Sequence, residues 1–65
     1  MTAYQSAVDY IKTSGLKTIS RHGLFHAVRE ATGKILGGSR KELERIAQAV
    51  GGTYRIKNGR GYINL

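Results

Sequence analysis

The chain has 65 residues, with eleven lysines and arginines against four acids, a formal net charge of +7 and no cysteine. A chain of this length forms one small domain that buries only about 60% of its unfolded surface, and without cysteine its thin core has no disulfide or thiolate metal site as a staple. An apolar content of 40% is too high for a disordered tail, and a pI near 10.3 points to a polyanionic partner.

No apolar run approaches the ~20 residues that span a bilayer. The opening MTAYQSAVDY lacks the basic-then-apolar pattern of a secretory leader, so a cytoplasmic location away from membranes is expected. The charges are segregated. Asp9, Glu30, Glu42 and Glu44 all fall in helical patterns, whereas residues 51–65 carry three cations and no acid.

Thr2-Ala3-Tyr4-Gln5 has the form of a capping box and predicts a first helix, with Tyr4, Ala7, Val8 and Ile11 on its buried face. Gly15 ends it, and Leu16 is expected to pack back onto the last turn. Leu16-Lys17-Thr18-Ile19 alternates as a very short strand. Ser20 then offers an N-cap for a second helix, whose Leu24, Phe25, Val28 and Ala31 share a face and whose stop is Gly33.

The connector Lys34–Gly38 is expected to plug Ile35 and Leu36 into the core. Ser39-Arg40-Lys41-Glu42 is a second capping box, and Leu43, Ile46, Ala47 and Val50 then follow i, i+3, i+4, i+7 through a third helix ended by Gly51-Gly52. Asn58-Gly59 is a strong hairpin signal, since both residues tolerate the positive φ of a type I′ turn. A two-residue turn there sets Lys57 opposite Arg60, Ile56 opposite Gly61, Arg55 opposite Tyr62 and Tyr54 opposite Ile63. That register sends Tyr54, Ile56, Ile63 and Leu65 inward. It leaves Thr53, Arg55, Lys57, Arg60, Tyr62 and Asn64 outward.

This order of helix, short strand, two helices and a terminal hairpin resembles the winged helix-turn-helix superfamily over nearly the whole chain. The resemblance implies an α+β fold: three helices, a C-terminal β-hairpin wing and a short strand after the first helix, in a single domain spanning residues 1–65. It also implies a DNA-binding regulator or architectural factor whose third helix reads the major groove and whose wing touches the backbone. The connector over 33–38 is longer than the turn of simple helix-turn-helix motifs, which favours the winged variant or a different three-helix packing.

With Leu43 at zero and about 100° per residue, Lys41, Arg45 and Gln48 fall at about 160°, 200° and 140°, opposite the apolar face. Arginine and lysine suit guanine or phosphate, and glutamine suits adenine. Arg40 and the backbone N–H groups behind Ser39 suit a phosphate. Against this, Glu42 and Glu44 reduce the helix to +1, and Arg40–Glu44 has the spacing of a surface ion pair. On the hairpin, Arg55, Lys57, Asn58 and Arg60 suit phosphates, and Tyr62 suits a phosphate hydrogen bond or an unpaired base. Charged residues on a hairpin also discourage edge-to-edge aggregation, so this face has a structural explanation as well.

His22, His26 and Glu30 recur at i, i+4, i+8, which reads first as a polar helix face rather than a metal site. Enzymatic readings find no support. There is no thiol, no paired carboxylates at acid–base spacing and no nucleophile–base set, and Gly33-Lys34-Ile35-Leu36-Gly37-Gly38-Ser39 lacks the ending of a P-loop. The expectation is therefore a non-enzymatic protein without cofactor or metal. Duplex DNA is the leading partner, reached as a monomer or a homodimer. An acidic protein such as a polymerase or nuclease is the rival, followed by RNA or single strands.

Overall fold

The computed structural model describes residues 2–65. Helix α1 (Ala3–Ser14) leads into strand β1 (Thr18–Ser20), followed by α2 (Arg21–Thr32), α3 (Arg40–Ala49), β2 (Thr53–Lys57) and β3 (Arg60–Asn64). Three helices thus pack with a three-stranded antiparallel sheet in the order β1-β3-β2, an α+β domain ending in a hairpin wing.

Local chemistry sets the element boundaries. Thr2 and Gln5 form both halves of the predicted capping box, at 3.1 Å from Gln5 N to Thr2 Oγ1 and 2.9 Å from Thr2 N to Gln5 Oε1. Ser20 caps α2 through the N–H of Gly23, and Gly33 ends that helix with a left-handed backbone. Ser39 accepts from Glu42 N at 3.2 Å, but the box there is only half made. The Glu42 carboxylate lies 3.6 Å from Arg45 instead, because a guanidinium one turn on outcompetes a backbone N–H.

The core joins one stripe from each helix to one face of the sheet: Ala7 and Ile11, Leu24 and Val28, Leu43, Ile46 and Ala47, with Ile19 and Ile63 below. Leu36 from the connector completes it. Tyr4, Val8, Phe25, Val50 and Tyr54 pack half-buried against this cluster.

Five expectations need correction. Ile35 is 83% exposed while Leu36 is buried, because residues 34–39 form no helix and adjacent side chains of an open segment diverge. Ile56 and Leu65 occupy the inner side of the hairpin but are 56% and 48% exposed. Neither joins the core cluster, which on the sheet takes in Ile19 and Ile63 with Tyr54 packed against it. Leu16 is exposed rather than folded back on α1, and Ala31 is exposed at the end of α2. Strand β1 begins at Thr18 rather than Leu16, although the carbonyl of Lys17 still accepts from Leu65 N at 2.8 Å.

Candidate nucleic-acid interface

The hairpin register is the predicted one at every pair, from Lys57↔Arg60 to Tyr54↔Ile63, and Thr53↔Asn64 extends it. Asn58 and Gly59 both have positive φ, at 54° and 74°, which closes the two-residue turn. On the other edge of β3, Thr18, Ile19 and Ser20 pair with Asn64, Ile63 and Tyr62. Directly paired residues of an antiparallel sheet share a face. The outer face therefore holds three rows: Thr18, Asn64 and Thr53; Ser20, Tyr62 and Arg55; and Arg60 with Lys57. Thr18 Oγ1 donates to Asn64 Oδ1 at 3.2 Å and ties the first row together.

Among the described residues, no acid stands on this face. Among the described residues, the ion pairs within 4.0 Å are Arg40–Glu44 and Arg45–Glu42, both within α3. Arg55, Lys57 and Arg60 are thus exposed and uncompensated. Gly61, on the inner side, is required by shape. A Cβ there would collide with the Tyr54 ring, which lies across the β3 backbone and supports the middle of the hairpin from below.

The residues expected to make contact divide into three groups. Arg40, Arg55, Lys57, Asn58 and Tyr62 line one groove around the β2 edge, with a volume of about 1010 Å³. Arg60 and Tyr62 line a second cleft of about 610 Å³ on the α2 side. Lys41, Arg45 and Gln48 are exposed on α3 but line neither. Arg45 is also committed elsewhere: its guanidinium lies 5.0 Å from the Tyr4 ring centre and reaches Glu42. Arg40 is bonded to Glu44 at 3.0 Å. Lys41 and Gln48 are the polar side chains of α3 left without a partner among the described residues.

The second cleft contains residues that sequence reasoning did not nominate. Arg21, His22 and Phe25 of α2 face Arg60 and Tyr62 across it. Arg21 stacks 5.1 Å from the Phe25 ring centre and lies against the Gly38 backbone, so its charge is held at the rim. Ser20 as N-cap placed Arg21 at the first helical position, and that much was readable. What was not readable was the pairing of β1 with β3, which brings the start of α2 beside the hairpin. The chain matches no protein-family model, and neither a curated protein nor a solved structure is significantly similar to it.

Proposed function

We propose that this chain is a small winged helix-turn-helix protein that binds duplex DNA, acting as a regulator or architectural factor in the cytoplasm. The observation that carries this reading is the acid-free outer face of the sheet, where Arg55, Lys57 and Arg60 stand without a compensating carboxylate around Tyr62. Such cations displace condensed counterions from phosphates, and that release drives binding. The wing carries most of the phosphate contact. Arg40, at the first turn of α3, borders the same groove, while Lys41 and Gln48 are the side chains free to meet base edges.

One wing and one short helix present little area, so sequence-specific binding needs a dimer, tandem half-sites or a partner protein. The assay is a competition at low salt between a random duplex, a single strand and an RNA hairpin. The duplex should win, and its affinity should fall steeply with salt. Failure to bind any duplex at low ionic strength would sink the proposal.

One observation favours a second reading, an adaptor that docks an acidic protein. Both α3 arginines are already paired with glutamates, which suits a mixed protein contact better than a base reader. Recovery of one stoichiometric protein after nuclease treatment, together with no duplex binding, would favour that reading.

A further inference from the structure

His22 and His26 are the only histidines of the chain, and one helical turn places them side by side on the exposed face of α2. Their Nε2 atoms are 3.1 Å apart. Two metal–nitrogen bonds of about 2.0–2.1 Å that meet at roughly 90–110° hold their nitrogens about 2.9–3.4 Å apart. The observed separation falls inside that window. The ring centres are 4.5 Å apart and the planes are inclined by 77°, so the rings splay away from their nitrogens. The two Nε2 atoms, closer together than the ring centres, are the near ends of the pair and lie on the exposed side of α2.

We propose that His22 and His26 form a chelating site for a borderline divalent transition ion, of which Zn²⁺ is the probe. The helix supplies the preorganisation. Both imidazoles already project from the same face, so the second nitrogen joins as an intramolecular ligand rather than from solution. Without an ion, one ring N–H donates to the other ring's nitrogen. With an ion, both nitrogens turn their lone pairs to the metal.

The remaining coordination positions belong to water, because no third histidine, cysteine or carboxylate converges on the pair among the described residues. With no cysteine in the chain, no thiolate site competes for the ion. The charged surroundings are Arg29, which lines a groove with both rings, and Arg21 and Arg60, which share the neighbouring cleft with His22. Glu30 and Tyr10 border the hollow beside His26. Three cations against one carboxylate oppose a dication, which favours a borderline ion bonded to nitrogen over a hard ion such as Mg²⁺ held by charge.

The test is a titration of the full chain with Zn²⁺ at pH 7.5, followed by amide and imidazole NMR shifts and by thermal unfolding. The expected result is one site, with shifts centred on residues 22–26 and a rise in Tm, because the ion bridges one turn of α2 and binds the folded chain. His22→Gln and His26→Gln, at exposed positions that carry no core contact, should each weaken binding by about 100-fold or more through loss of the chelate. Mg²⁺ should produce no shift at residues 22–26. Wild-type affinity no better than that of either single variant, or shifts centred elsewhere, would overturn the proposal.

Discussion

The wing reading makes a quantitative claim about salt. Take Arg55, Lys57 and Arg60 on the outer sheet face, with Arg21 at the rim of the adjoining cleft, as four cations that each neutralise one phosphate. The slope of log affinity against log salt is then roughly −0.9 times four, about −3.6. Between 50 and 200 mM salt, binding to a random duplex should fall about 150-fold. In the triple variant Arg55→Gln, Lys57→Gln, Arg60→Gln, only Arg21 remains of the four, so the slope should flatten to about −0.9 and the same change of salt should cost only about 3.5-fold. Each position is exposed, so circular dichroism and Tm should show the fold intact. Fluorescence anisotropy with a labelled duplex across a salt series measures the slopes. The internal control is Arg45→Gln, because that guanidinium is engaged by Glu42 and Tyr4 and should leave the slope within error. The reasoning is refuted if the triple variant keeps the wild-type slope, or if Arg45→Gln flattens it as much.

Other outcomes follow from the packing. Gly61→Ala forces the Tyr54 ring off the β3 backbone, and urea unfolding should report a loss of about 1–3 kcal/mol, as for overpacked cores. Ile63→Ala, at a fully buried position, should cost about 2–5 kcal/mol, whereas Ile56→Ala, on the same face but more than half exposed, should stay within about 1 kcal/mol. Equal losses at Ile56 and Ile63 would mean that the core extends under the wing tip. Arg21→Gln should reduce the salt slope of duplex binding by about 0.9, with only a small fall in Tm from the lost stacking on Phe25, and an unchanged slope would remove the α2 cleft from the interface while leaving the hairpin in it.

What was legible in this sequence was whatever local chemistry decides. Thr2, Ser20 and Ser39 mark three helix starts, and Asn58-Gly59 fixes a turn and with it a register across five residue pairs. The outward set Arg55, Lys57, Arg60 and Tyr62 followed from that register alone. Depth was not legible. Alternation says which way Ile56 and Leu65 point, but not that both stay about half exposed outside the core. Nor does local pattern say that a three-residue strand pairs with the last one, forty-odd positions away, so the cleft that Arg21 and His22 form with the hairpin is not legible in it. Helical angle placed Lys41, Arg45 and Gln48 together on the exposed face. It was silent on the fact that Arg45 folds back on Tyr4 of another helix.

In the proposed function one surface, the outer face of the sheet with the start of α2, meets DNA. An amide-shift titration of the labelled chain with a random duplex at low salt tests it most directly. Progressive shifts are expected at residues 55–62 and 20–22, with smaller changes at Arg40 and Lys41 and none at Gln5, Asp9 and Lys12 of α1. Shifts centred on Arg45 and Gln48 with a silent hairpin, or no shifts at all, would contradict it.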